Sequence, residues 1–161
     1  MKSLSAFAVM LLLCAMPATA QDNDPFDALW KLNVEKSKTA RPVRSATMRI
    51  RVAIDEVDIP LSNEKMELDR VYADGTREAI TYAARYSGRD WEIKNTLTGE
   101  SLEEEANLRM IDANTREFVR LKNRKPLAIS KRMLSADKKT LTVTTTGSNG
   151  AVTDVELWER Q

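Results

Sequence analysis

The sequence contains no histidine, and its single cysteine is Cys14. Without histidine, the chain lacks the usual general base near neutral pH, and a histidine-based serine triad is excluded. Without cysteine after residue 14, it also lacks a thiolate nucleophile and the ligands of a structural zinc site. An enzyme built from this chain would have to use Asp, Glu, Lys, Tyr or Ser alone. We therefore expect a protein that is not an enzyme and that uses no metal and no cofactor.

The one long apolar run lies at the N-terminus. Lys2 precedes an apolar segment at residues 6–16, and residues 18–20, ATA, form a small-x-small site. This order is typical of a secretory signal peptide, and the apolar segment is shorter than the roughly 20 residues that span a bilayer. We expect cleavage after Ala20, a periplasmic or secreted location, and no integral membrane segment after cleavage. Lipoprotein processing at Cys14 is an alternative that lacks the small residue it needs before the cysteine.

The mature chain also lacks an excess of charge of either sign. Cleavage removes 20 of the 161 residues and one of the 25 Lys and Arg residues, so that 24 basic and 24 acidic groups remain. A nucleic-acid-binding protein is expected to be clearly basic, so nucleic acid is not a predicted partner. Residues 21–161 have the size of one domain, and without a disulfide its stability must come from packing and hydrogen bonds.

Alternation of apolar and polar residues, rather than helical periodicity, recurs along the chain. Residues 47–54 read TMRIRVAI and residues 139–146 read KTLTVTTT, and the five glycines lie between such runs. This pattern predicts strands joined by tight turns. The predicted strands are 28–34, 47–55, 65–72, 76–86, 90–95, 101–105, 107–112, 115–122, 126–134, 139–146 and 152–159, with a long irregular stretch at 35–46. A meander of this length tends to close into a barrel, which removes its edges. We predict an all-β, antiparallel, up-and-down barrel of about nine or ten strands.

One hairpin allows a prediction of register. A two-residue turn at Asp74 and Gly75 would mix apolar and polar residues on both faces, whereas a three-residue loop at 73–75 with Gly75 left-handed keeps the apolar faces together. The pairs predicted by the second arrangement are Met66–Tyr82, Leu68–Ile80 and Arg70–Glu78.

The start of the mature chain resembles a known group of barrels. Residues 26–32, FDALWKL, are similar to the F-x-G-x-W-K-L start of fatty-acid-binding proteins and to the G-x-W start of lipocalins. The chain more closely resembles small bacterial exported lipocalin-like (calycin-type) proteins. These proteins begin with WKLN and KSK, which stand here at 30–33 and 36–38. They continue with a segment like RIDANT (here 109–115), with KTLTVTTxG (139–147) and with a final strand that ends in an aromatic residue (155–161). This resemblance implies a lipocalin-like barrel with Trp30 plugging one end, an extended loop over its mouth, and no assigned activity.

Two positions depart from the pattern. Ala28 stands in place of the glycine of G-x-W, and Glu156-Leu157-Trp158 stands where fatty-acid-binding proteins carry an R-x-Y that holds the ligand carboxylate. An acid in place of that arginine would repel a fatty carboxylate, so the sequence predicts that a fatty acid is not held by that route.

Seven residues are candidates for lining a ligand cavity in the barrel: Met66, Leu68, Arg70, Tyr82, Leu108, Met110 and Phe118. The alternative is that these side chains fill the interior, because small barrels are often packed solid. Arg70 shares a face with Met66 and Leu68, so it either meets an anionic head group inside or forms a pair with Glu78 near the rim.

Two charge runs admit a functional and a structural interpretation. Residues 103–105, EEE, lack the spaced ligands and the glycine of a calcium loop, so we interpret them as a solvated run and predict no metal site. The basic residues Lys31, Lys36, Lys38, Arg41 and Arg44 either touch anionic envelope polymers or lipid head groups, or belong to a soluble loop.

The sequence thus predicts a non-catalytic lipocalin-like protein that binds a small hydrophobic molecule in its barrel. The alternative is a cell-envelope module with a filled barrel, no ligand and a protein partner that the sequence does not identify.

Overall fold

The structure, a computed structural model, describes residues 24–52 and 64–161. The predicted signal peptide and the last part of the predicted strand 47–55 lie outside the described residues. No helix within those two ranges is long and apolar enough to cross a membrane.

Ten antiparallel strands close into one barrel, in the order β1-β10-β9-β8-β7-β6-β5-β4-β3-β2. They are β1 (Ala28–Leu32), β2 (Val43–Arg51), β3 (Glu64–Tyr72), β4 (Arg77–Ala84), β5 (Asp90–Asn95), β6 (Ser101–Asp112), β7 (Thr115–Lys122), β8 (Lys125–Leu134), β9 (Thr140–Gly147) and β10 (Val152–Arg160). Each strand pairs with its neighbours in sequence, and β1 pairs with β10. The prediction of an all-β, up-and-down antiparallel barrel is confirmed.

Two predicted boundaries were wrong. The segments 101–105 and 107–112 form the single strand β6, because Ala106 continues the alternation and points into the core with no exposed surface. β2 begins at Val43, within the stretch expected to be irregular, because residues from Val43 onward pair with β3.

The up-and-down order gives the barrel two distinct ends. We call the end at which the even-numbered strands begin the mouth end. We call the opposite end, at which the odd-numbered strands begin, the closed end. Phe26 and Trp30 lie at the closed end with no exposed surface, and the indole Nε1 of Trp30 donates to the carbonyl of Phe26 at 3.1 Å. The guanidinium of Arg160 lies 4.9 Å from the centre of the Trp30 ring. Trp30 therefore packs as an internal side chain at this end.

The β3–β4 hairpin adopts the predicted register. Met66 pairs with Tyr82, Leu68 with Ile80, and Arg70 with Glu78. Gly75 has a φ of +84°, a left-handed conformation that side chains other than glycine adopt only at a cost. Register follows the buried face, as expected from the alternation of apolar residues.

The segment between β1 and β2 is fixed at the mouth end. Lys38 forms an isolated bridge with Val155, and the backbone nitrogen of Ala40 donates to Asp154 at 2.9 Å. The guanidinium of Arg41 donates to Asp74 at 2.6 Å and lies over the ring of Tyr72. The segment thus joins the start of β10 to the β3–β4 turn.

Candidate functional site

The barrel contains a partly open cavity of about 220 Å³ toward its mouth end. Its lining is apolar in the middle of the barrel and charged near the mouth, and one further charged residue, Arg132, lies on the side of the closed end. The apolar part consists of Met48, Met66, Leu68, Ile80, Phe118, Ala128, Val143 and Trp158. The polar part consists of Arg70, Tyr72, Glu78, Arg120, Ser130, Arg132, Thr145, Asp154 and Glu156. The interior is therefore not completely filled, and the cavity can take a molecule with an apolar body and a polar head.

Charged residues at the mouth end form a chain of alternating sign, which we call the mouth network. Its members, in order of contact, are Glu156, Arg70, Glu78, Arg120 and Glu104. Arg70 Nη2 donates to Glu156 Oε1 at 2.7 Å, and Arg70 Nη1 lies 3.8 Å from Glu78 Oε2. Arg120 donates to Glu78 at 2.8 Å and also to Glu104. Each guanidinium thus lies between two carboxylates.

Aromatic side chains complete the mouth network. The hydroxyl of Tyr72 donates to Glu78 at 2.9 Å, and the indole Nε1 of Trp158 donates to Glu156 at 3.2 Å. Arg70 Nε, which is buried, has no hydrogen-bond partner among the described residues. The network therefore has one unused buried donor, and it belongs to a residue that lines the cavity.

Burial and pairing act in opposite directions on the two inner glutamates. Burial raises the pKa of Glu156 above the ordinary 4.5, and the positive charge of Arg70 offsets only part of that rise. Burial alone would also raise the pKa of Glu78, but its hydrogen bond to Arg120 and the charges of Arg120 and Arg70 lower that pKa below the ordinary value. Glu156 is thus the carboxylate of this pair whose charge is less well compensated.

A second buried set of charges, which we call the closed-end network, lies near Trp30. It consists of Glu64, Arg132, Tyr82, Tyr86, Arg116 and Asp24. Glu64 has no exposed surface, and its Oε1 accepts from Tyr82 at 2.6 Å and from Arg132 at 2.7 Å. Its Oε2 accepts from Tyr86, whose hydroxyl also accepts from Arg116. Full burial raises the pKa of Tyr82 well above 10, so its hydroxyl stays protonated as a donor.

The closed-end network joins the N-terminal segment to the barrel. Arg116 donates to Asp24, and its guanidinium lies 4.2 Å from the ring centre of Phe26 and 4.5 Å from that of Tyr86. Every carboxylate and guanidinium named in this network has a partner of opposite charge. Because its charges are paired and buried away from the cavity mouth, the closed-end network suits a role in stabilising the fold.

Comparison with known proteins identifies the fold. No family model and no curated protein matches the chain. Among solved structures, the chain is similar to a Schistosoma mansoni fatty acid binding protein in complex with arachidonic acid, with a TM-score of 0.53 and 15% sequence identity. The match covers 85% of this chain and 96% of that one. The fold is a lipocalin-like barrel. At this identity the similarity shows the fold alone.

The lipocalin-like barrel brings four of the seven candidate cavity residues to the cavity wall: Met66, Leu68, Arg70 and Phe118. Tyr82 and Leu108 are buried but lie outside the cavity lining. The ring of Tyr82 stacks on Phe118 with 5.2 Å between centres, so it supports the wall from behind.

Met110 was wrongly assigned to the interior, because its side chain is 54% exposed. It shares the face of Leu108, but it lies opposite Arg116 next to a register shift at the end of β6. A register shift re-aims nearby side chains, and the alternation of residues does not predict such a shift. Met110 therefore lies beyond the packed core.

Arg70 combines the two arrangements considered for it. It faces the cavity, where an anionic head group was expected to meet it, and it also lies beside Glu78, its expected partner near the rim. Its shorter contact is with Glu156, at 2.7 Å. This carboxylate occupies the space in which an anionic head group would have met the arginine.

The run at 103–105 is only partly solvated, which corrects the prediction for Glu104. Glu103 is exposed and has a φ of +56°, and a register shift lies beside it in the β5–β6 pairing. Glu104 points inward and accepts from Arg120. No group of three or more candidate metal-binding side chains occurs among residues 24–52 and 64–161.

Sequence reasoning missed most charged members of the two networks. Arg116 and Arg120 lie two residues on either side of Phe118, so strand parity places both on the interior face. The same parity places Arg132 with Leu134 and Glu64 with Met66. The signal was present, but charged residues are expected on the outer face of a strand.

Proposed function

We propose that this protein is a non-catalytic carrier or sensor that binds a small, mainly hydrophobic molecule inside its barrel. The cavity of about 220 Å³, with its apolar middle and polar mouth, carries this proposal. It is larger than the engineered protein cavities of about 150 Å³ that bind benzene, and smaller than the roughly 300–1,000 Å³ of drug-sized pockets. If the cavity volume scales with the number of ligand atoms, as judged from the cavity of about 150 Å³ that holds benzene, this cavity suits a ligand of about nine non-hydrogen atoms. The similar solved structure, that of a fatty acid binding protein, supports the proposal by analogy, because that protein is in complex with arachidonic acid.

The four methionines after residue 20 provide a direct test. Met48 and Met66 line the cavity, whereas Met110 and Met133 are about half exposed on the outside. In protein labelled at the methionine methyl carbons, we expect octan-1-ol to shift the NMR signals of Met48 and Met66 and to leave those of Met110 and Met133 in place. Equal shifts at all four would indicate surface association and contradict the proposal, as would no shift at all.

A matched pair of variants tests whether the cavity itself is the binding site. Ala128→Phe places a ring in the cavity, and we expect it to weaken octan-1-ol binding at least about tenfold, because a benzene-sized group needs about 150 Å³ of the space. Leu127→Phe adds a ring at the neighbouring position of β8, which is 41% exposed, and is expected to leave binding unchanged. Unaltered binding by a folded Ala128→Phe variant would contradict the proposal.

We also propose that the protein is exported, on the basis of residues 1–20. We expect protein recovered from outside the cytoplasm to begin at Gln21, because residues 18–20 form a small-x-small cleavage site. N-terminal sequencing measures this directly, and Ala20→Arg is expected to prevent cleavage. Recovery of an uncleaved chain from the cytoplasm would contradict this part of the proposal.

A further inference from the structure

The charges around the cavity do not balance. The mouth network contains three carboxylates and two guanidinium groups, and its chain begins and ends with an acid. Asp154 lines the same cavity, and its oxygens accept from the backbone of Ala40 and the hydroxyl of Thr153. Within the described part of the chain, Asp154 forms no ion pair. Negative charge therefore exceeds positive charge at the polar end of the cavity.

The other cations near the cavity do not restore the balance. Arg132 reaches the lining, but its charge is compensated by Glu64 at 2.7 Å. Arg41, on the segment before β2, is paired with Asp74. Lys38 and Arg44 on the same part of the chain are exposed, where solvent and salt screen their charges.

A charged head group inside the barrel would experience this excess strongly, because charges interact more strongly in a protein interior than in water. A ligand carboxylate could accept from Arg70 Nε, a buried donor with no hydrogen-bond partner among the described residues, but it would add a further negative charge beside Glu156 and Asp154. An ammonium group has three donors and no acceptor. Glu156 and Asp154 retain free lone pairs that can accept from it, since each carboxylate offers about four acceptor sites.

We infer that the cavity selects small amphiphiles with a cationic head, such as a primary ammonium group, over carboxylates of the same chain length. The head lies beside Glu156 and Asp154, and the chain lies among Met48, Met66 and Phe118. This inference rests on the proposed function, because it requires that the cavity binds a ligand.

Three probes of equal chain length test the inference: octylamine, octan-1-ol and octanoate, each titrated at pH 7 and followed by the methionine signals. Octylamine is protonated at this pH, because alkyl ammonium groups resemble lysine, with a pKa of about 10.4. We expect octylamine to bind at least about tenfold more tightly than octanoate, with octan-1-ol between them. If octanoate binds as tightly as octylamine and still shifts Met48 and Met66, the inference fails while the proposed function stands. If none of the three binds, the proposed function fails.

A charge-neutralising variant at the site gives a second test. Glu156→Gln keeps the shape and an acceptor for Arg70 but removes one negative charge, and we expect it to weaken octylamine binding several-fold and to strengthen octanoate binding. Glu92→Gln is the control, since it changes the net charge equally on the exposed face of β5. Circular dichroism checks that both variants are folded. An unchanged ratio of the octylamine and octanoate affinities in folded Glu156→Gln would overturn the inference.

Discussion

Arg132→Leu is expected to lower the free energy of unfolding by about 3–5 kcal/mol, as is typical when one partner of a buried ion pair is removed. Arg132 and Glu64 are 3% and 0% exposed, and the guanidinium donates both to Glu64 and to the hydroxyl of Tyr82. Without the arginine, the hydroxyls of Tyr82 and Tyr86 are the partners that Glu64 keeps among residues 24–52 and 64–161, and its charge is left uncompensated in the interior. Denaturation in urea at pH 7 measures the change.

Two further variants make the result specific. Arg77→Leu removes an arginine that binds Asp69 through two hydrogen bonds of 2.7 Å on the exposed surface, where an ion pair contributes little. We expect it to destabilise the protein much less than Arg132→Leu. The double variant Glu64→Gln/Arg132→Leu should lose less stability than the sum of its single changes, because no buried charge remains without a partner. A loss in Arg132→Leu no larger than that in Arg77→Leu would show that the buried pair does not stabilise the barrel.

Trp30→Ala is expected to lower the free energy of unfolding by about 3–5 kcal/mol, the usual cost of removing a buried tryptophan side chain. The indole has no exposed surface, and it contacts the N-terminal segment through Phe26 and the last strand through Arg160. Its removal leaves a space that the closed strands of the barrel are poorly able to fill by moving inward.

The control for Trp30 is Trp91→Ala. Trp91 lies on β5 and is only partly buried, so less contact with the core is lost. We expect the urea midpoint of Trp91→Ala to lie clearly above that of Trp30→Ala. Trp30→Phe should recover part of the lost stability, since it refills part of the space but lacks the indole donor. Equal midpoints for the two alanine variants would contradict the role of Trp30 in closing this end.

The strands and the β3–β4 register were predictable because both depend on a single rule, the alternation of faces along a strand. Met66, Leu68 and Arg70 could be placed on one face from their spacing alone, and the loop at 73–75 then gave the pairing. The start of β2 and the continuous β6 were less predictable. The start of β2 depends on pairing with β3, and β6 passes through a positive φ at Glu103, which is not a glycine.

The cavity was harder to predict than the strands. The alternation of faces along each strand would have placed Arg116, Arg120 and Arg132 inside the barrel. A buried charge is tolerated there only if an oppositely charged residue from another part of the chain lies beside it. Those partners come from residues 16 to 92 positions away in sequence. Whether the interior contained a cavity depended on the summed volumes of side chains from many strands, which alternation does not describe.

The pairing of β1 with β10 has a consequence for how the chain reaches its native state. Because the first and last strands are neighbours, the ring cannot be joined until the segment 152–160 has been made and has docked against residues near the start of the chain. Until then, two strand edges stay available to other chains, and such edges promote aggregation. The period in which the open edges promote aggregation therefore lasts until β10 is in place, and a chaperone that shields either edge would act during that interval.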